Sequence, residues 1–142
     1  MKVHVTENIN QAMNGFRLVP IVYGKLDLGR IPDNAATEII AIDALESIAY
    51  SQVGEFFKNI RAKMRMGCTI TVGGVDLSLL ARGIINGSVN SLSFNDQIYK
   101  TKGIYQICDI QKLISDNGLI VDHVSIAGLS YTIKASRPTQ KQ

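Results

Sequence analysis

Glu38–Asp76, EIIAIDALESIAYSQVGEFFKNIRAKMRMGCTITVGGVD, carries the organisation of the chain. It reads as a strand, an acidic turn, an amphipathic helix, a glycine stop and a second strand. Ile39-Ile40-Ala41-Ile42 is a short apolar run of the kind buried on both faces of a parallel sheet. Val53, Phe56, Phe57, Ile60 and Met64 then fall on one face of a helix. Ser47 or Ser51 is placed to cap its start. Arg61, Lys63 and Arg65 crowd its last turn, where positive charge suits the helix dipole. Gly67 suits the left-handed residue that ends a helix. Cys68-Thr69-Ile70-Thr71-Val72 reads as the next strand, broken by Gly73-Gly74. Strand, crossover helix and strand make a right-handed βαβ unit. Ligands of such sheets sit beyond the carboxyl ends of the strands, and here those ends carry Asp43, Glu46, Gly73, Gly74 and Asp76.

Towards the N-terminus, Lys2–Thr6 alternates like a short strand. Residues 7–15 are polar and turn-rich, a loop or a single helical turn. Phe16–Val22 is a second strand, which Pro20 confines to an edge or a strand end because it has no N–H to donate. Lys25–Leu28 is a third short strand or extended piece, and residues 29–34 form a turn. After the central unit, Leu77, Leu80, Ala81 and Ile84 repeat at helical spacing, with Asp76 as N-cap and Gly87 as stop. Phe94–Gly103 reads as a helical turn and an excursion. Asp109 caps a further helix that turns Ile110, Leu113 and Ile114 inward and ends at Asn117-Gly118. Leu119–Ile126 is a strand, and Tyr131–Ala135 returns beside it antiparallel. Residues 137–142 form a polar, frayed tail. The expected core includes Ile40, Ile42, Val53, Phe57, Ile60, Ile70, Val72, Leu113, Ile114, Val121 and Ile133.

At 142 residues, the whole stretch 1–142 is expected to form one domain with a real core. A net charge of +3 is far from the clustered basicity of a nucleic-acid binder, and the run Lys58–Arg65 is accounted for by a helix C-terminus. Cys68 and Cys108 share no metal-type spacing and read as buried free thiols. His4 and His123 fall on separate strands without a third ligand, so no metal site is expected. Met1–Asn10 is polar, and no apolar run approaches the length of a membrane span. The expected setting is a reducing cytoplasm, of a cell or of an infected host.

The central stretch resembles the second half of a class I S-adenosylmethionine (SAM)-dependent methyltransferase. Leu45-Glu46-Ser47 stands where that family has Leu-Glu-His, and Met66-Gly67-Cys68 stands where it has Pro-Gly-Gly. Gly74-Val75-Asp76 stands where small predicted methyltransferases carry a Pro-Asp pair. The ending follows the same order: Asp76–Arg82, then Ile110–Leu119, then a strand with an antiparallel partner. The likeness covers about Gly15–Pro138. It implies a Rossmann-like three-layer α/β sandwich, mainly parallel, with an antiparallel C-terminal strand.

The resemblance also implies a glycine-rich loop after the first strand and an acid at the end of the second, for the cofactor's ribose. Glycine lets backbone approach a cofactor closely. Here the first strand is followed by Thr6-Glu7-Asn8-Ile9-Asn10, with no glycine until Gly15. The second carries Val19-Pro20-Ile21 where the acid belongs. The SAM-binding motif is therefore degenerate. What remains as candidate cofactor contacts is Asp27, in the position that borders adenine, and the pair Asp43 and Glu46 at the strand end. Each also has a plain structural reading: a solvated turn acid for Asp27, a first-turn helix acid for Glu46. Tyr50 and Tyr99 read as packing aromatics or as pocket lining.

Two functions follow from different classes. In one, the domain has lost SAM and is a binding, structural or assembly module, of a larger complex or a viral particle. In the other, it is an active small SAM-dependent methyltransferase acting on a sugar or another small acceptor. The abbreviated N-terminal third leaves an edge or face of the sheet without its usual cover. That predicts a homo-oligomer, or docking of a protein partner, through Val3–Val5 and Phe16–Val22.

Overall fold

The computed structural model describes residues 1–99 and 101–139. The end of the polar tail, residues 140–142, lies outside the described residues. Among the described residues, seven strands form one sheet in the order β3-β2-β1-β4-β5-β7-β6. They are β1 (Lys2–Thr6), β2 (Arg17–Val22), β3 (Lys25–Leu26), β4 (Ala36–Ile42), β5 (Met64–Val75), β6 (Ile120–Ala127) and β7 (Ser130–Ser136). Four helices among the described residues accompany them: α1 (Val53–Lys63), α2 (Leu77–Ile85), α3 (Ser91–Tyr99) and α4 (Ile107–Asp116). Strands β2, β1, β4 and β5 run parallel, and β7 is antiparallel to both β5 and β6. The Rossmann-like α/β architecture, mainly parallel with an antiparallel C-terminal strand, is the one expected.

Alternation along the strands separates the two faces of the sheet. Val3, Ile39, Ile70 and Ala135 lie side by side in register, and all are buried. They pack with Phe57 and Ile60 of α1 and Ile110 and Ile114 of α4 in one core. The next row in register is Leu18, His4, Ile40, Thr71, Lys134 and His123, on the opposite face. Here Leu18, Ile40 and Thr71 are half-buried, and Lys134 and His123 are exposed. Helices α1 and α4 thus stand on one face. The other is crossed by residues 7–16, which join β1 to β2 through a single 3₁₀ turn, Ile9–Gln11. The Met13 N–H donates to His4 Nδ1 at 3.2 Å and keeps the loop down on β1.

This one-sided cover corrects three expectations. Ile39-Ile40-Ala41-Ile42 is not buried on both faces: Ile39 and Ala41 are sealed, Ile40 is half-buried and Ile42 is 38% exposed. The first strands are not laid open as a whole, because Val3, Val5, Val19 and Ile21 face the helices. Cys68 is buried, but Cys108 is exposed on the outer side of α4.

Local signals were met by different atoms in several places. The N-cap of α1 is Gln52, without a side-chain bond; Ser47 and Ser51 belong to two preceding 3₁₀ turns, Leu45–Ser47 and Tyr50–Gln52. Gly67 is left-handed, with φ +82°, yet it sits within β5, where the pairing with β4 skips residues. α1 ends at Lys63 instead, so Arg65 lies in the strand. Asp109 lies in the first turn of α4 rather than capping it. Strand β3 is antiparallel to β2, joined by the tight turn Tyr23-Gly24, both left-handed. Leu28, placed in that strand by sequence, begins a 3₁₀ turn, Leu28–Arg30. Within Phe94–Gly103, the residues up to Tyr99 belong to α3.

Asp76 is the joint between the sheet and the helices that follow. Its Oδ2 accepts from the Leu79 N–H at 2.9 Å as the N-cap of α2, and its Oδ1 accepts from the Ile107 N–H at 3.0 Å. Buried at 3% exposure, it supplies acceptors to the starts of two helices at once. Beyond it, Val75, Leu80 and Val89 form a small separate cluster with Leu129 of the β6–β7 turn.

Candidate functional site

The carboxyl ends of β1, β4 and β5 open onto a cavity of about 890 Å³. Its walls carry Glu7 from the loop after β1, Asp43, Glu46 and Ser47 from the turn after β4, and Lys102 from the segment before α4. This is the crevice in which sheets of this kind place ligands.

Two contacts span it. Ser47 Oγ donates to Glu7 Oε2 in a short hydrogen bond that ties the ends of β1 and β4 together. Glu46 reaches across to β5, where its Oε1 accepts from the Val75 N–H, again at short range. Gly74 makes room for that carboxylate: a Cβ at Gly74 would lie 2.5 Å from Glu46 Oε1. Glu46 is 9% exposed. Burial raises its pKa, the Val75 N–H opposes that rise, and the Asp43 charge adds to it. Asp43 is also raised by burial. It takes the left-handed conformation, with φ +59°, which aspartate tolerates better than most residues. Its N–H donates to Gly73 O at 2.8 Å.

The structure brings Asp43 and Glu46 into one cavity and leaves Asp27 elsewhere. Asp27 Oδ1 accepts from the Gly29 N–H at 2.8 Å and caps the 3₁₀ turn Leu28–Arg30, so its plain structural reading is satisfied. Tyr50 stacks on Tyr105, ring centroids 5.8 Å apart; Tyr99 is exposed at the cavity mouth. Glu46 does sit in a first turn, but its carboxylate serves the neighbouring strand. Sequence reasoning had no means of pairing Ser47 with Glu7, which lies 40 positions away, or of placing Lys102 at the rim. Among the described residues no cluster of His, Cys, Asp or Glu could hold a metal ion. No helix among them is long and apolar enough to cross a membrane.

No family model matches the chain, and no curated protein matches it. Solved structures do. An O-methyltransferase family protein from Burkholderia thailandensis superposes with a TM-score of 0.64 at 12% identity, over 89% of this chain and 37% of that one. A SAM-dependent methyltransferase from Methanosarcina mazei gives 0.64 at 10% identity, over 98% and 83%. The structure of a Haloferax volcanii methyltransferase in complex with the activator Trm112 gives 0.65 at 11% identity, over 94% and 66%. The fold is that of class I SAM-dependent methyltransferases, and the chain spans little more than a third of the Burkholderia protein.

Proposed function

We propose that this domain keeps the methyltransferase architecture without binding SAM, and acts as a binding, structural or assembly module, of a larger complex or a viral particle. The observation that carries this reading is the pair of contacts in the crevice, Glu7–Ser47 and Glu46–Val75. They occupy the ends of β1, β4 and β5, against which the cofactor's methionine part would lie. That part bears a carboxylate, and it would meet Glu7, Asp43 and Glu46. Among the described residues, no left-handed residue precedes Gly15 in the loop after β1, so the backbone there offers no close approach. Strand β2 ends at Val22 and turns through Tyr23-Gly24, with no acid for ribose hydroxyls. The residues present do not fit the cofactor. A missing charge-assisted hydrogen bond costs about 1.5–3 kcal/mol, roughly a tenfold to hundredfold loss of affinity.

Asp27, Asp43 and Glu46 are the acids left to hold adenine or another polar ligand. A thermal-shift and calorimetric titration with SAM and S-adenosylhomocysteine tests this, beside Asp27→Ala and Glu46→Ala. A native-state ligand must raise the melting temperature, and no rise is expected. A low-micromolar dissociation constant, weakened by those substitutions, would refute the module reading and restore the alternative, a small methyltransferase acting on a sugar or other small acceptor. On the module reading, the N-terminal side of the sheet, crossed by residues 7–16, is the surface for a second copy or a protein partner. The Haloferax methyltransferase, solved with a protein activator, lends this precedent. Light scattering that finds a monomer at high concentration would remove the second copy.

A further inference from the structure

We propose that the chain carries a second ligand site, a groove between the β2–β3 hairpin and α1, and that it takes a ring-bearing phosphomonoester of nucleoside-monophosphate size. This goes beyond the module reading and stands independently of it. The groove encloses about 670 Å³, within the ~300–1,000 Å³ typical of small-molecule sites. It exists because β3 is two residues long and the chain returns to β4 through the short turn Leu28–Arg30. Among the described residues no helix fills the flank of α1 on that side.

Helix α1 and the residue before it turn one stripe towards the groove: Gln52, Glu55, Phe56, Asn59 and Lys63. The periodicity is helical, yet most of the stripe is polar. Gln52, Glu55 and Asn59 are exposed, and their side chains have no hydrogen-bond partner among the described residues. The floor beneath them is apolar, made by Leu26, Leu28, Ile48 and Phe56. An apolar floor edged by two amides and a carboxylate suits a ring with hydrogen-bonding edges or hydroxyls.

The charge is at one end. Lys102 Nζ lies against the hairpin turn, 2.6 Å from where a Cβ on Gly24 would stand. Gly24, with φ +75°, is a residue at which a side chain would be both strained and in the way. Lys25 follows directly. Neither Lys25 nor Lys102 has a carboxylate within salt-bridge distance among the described residues, whereas Lys63, at the far end, is tied to Asp33 at 2.7 Å. Two ammonium groups without partners, at one end of an apolar-floored groove, match a dianionic phosphate held by point charges. Nucleotides and sugar phosphates share this chemistry.

The test is a titration of the full chain, followed by amide proton–nitrogen correlation spectra, with uridine monophosphate, uridine, a hexose phosphate and inorganic phosphate. Uridine monophosphate is expected to shift amides in residues 24–29 and 52–59 and to leave those of Asp43, Ser47 and Val75 in place. Uridine and inorganic phosphate should each bind at least about tenfold more weakly, because each forfeits one half of the recognition. Lys25→Ala combined with Lys102→Ala, both exposed positions, should weaken uridine monophosphate about tenfold to hundredfold without unfolding the chain. A hexose phosphate that binds as tightly as uridine monophosphate upholds the site and assigns its ring to a sugar. The proposal is overturned by an absence of shifts at millimolar ligand, by shifts centred on Asp43, Ser47 and Val75, by inorganic phosphate binding as tightly as uridine monophosphate, or by an unchanged affinity in the double variant.

Discussion

Replacing Gly74 by alanine puts a methyl group where Glu46 now lies. The added Cβ would stand 2.5 Å from Oε1, 3.1 Å from Cδ and 3.5 Å from Cγ of Glu46. These atoms end a side chain, so the backbone need not move; the carboxylate swings away instead. It then loses the Val75 N–H, leaving a buried donor unsatisfied at a cost of about 1–3 kcal/mol. For a domain of this size the melting temperature falls by roughly 2–4 °C per kcal/mol. The decisive measurement is a double-mutant cycle by urea denaturation, with Glu46→Ala as the second substitution. Glu46→Ala alone carries the same loss, because it removes the acceptor. In that background the methyl group meets empty space, so Gly74→Ala should cost within about 0.5 kcal/mol of nothing. Equal costs in both backgrounds would refute the claim that Gly74 is kept small for the Glu46 carboxylate. Gly73→Ala serves as the contrast: its Cβ would stand 2.8 Å from the backbone oxygen of Tyr131, which Glu46 does not control, so its cost should persist in both.

Stability should depend on pH through the crevice acids. The folded pKa values of Glu46 and Asp43 are raised above 4.5 and 3.8, chiefly by burial. Their contribution is therefore complete below those values and is lost as pH rises through the folded ones. Glu46→Gln keeps an acceptor for Val75 without the charge, so its urea midpoint should gain on the native protein as pH climbs above 4.5; parallel curves would contradict this. Asp76→Ala strips acceptors from Leu79 and Ile107 and should cost about 2–4 kcal/mol as a lost cap plus a second unmet donor, read by chemical denaturation. In the native protein a thiol reagent should modify Cys108 quickly and Cys68 only after unfolding, since Cys68 is buried and its thiol is pushed up to about 11; two fast thiols would contradict the fold at β5.

Short-range signals in the chain carried most of the architecture. The stripe Val53, Phe56, Phe57 and Ile60 is the buried face of α1. Asp76 is the N-cap of α2, and Gly87 follows its end. Each is a matter of a few neighbouring residues: a helical or strand period that sorts apolar side chains to one side, and a carboxylate that reaches the amides of its own first turn. The short turn after β6 brings β7 back antiparallel beside it, whereas the strand order, which slots β7 between β5 and β6, was decided by the tertiary structure. Ile40 and Ile42 mark where this ends. An apolar run identifies a strand, but what covers its second face depends on a crossover elsewhere, and residues 7–16 form one 3₁₀ turn, Ile9–Gln11, in place of a helix. The crevice was less legible still. Glu46 bonds to an amide 29 positions on, and Glu7 receives a hydroxyl from 40 positions away. No local period encodes such pairs. They arise only when parallel strands bring the ends of β1, β4 and β5 side by side, and burial between those ends raises the pKa values of Asp43 and Glu46.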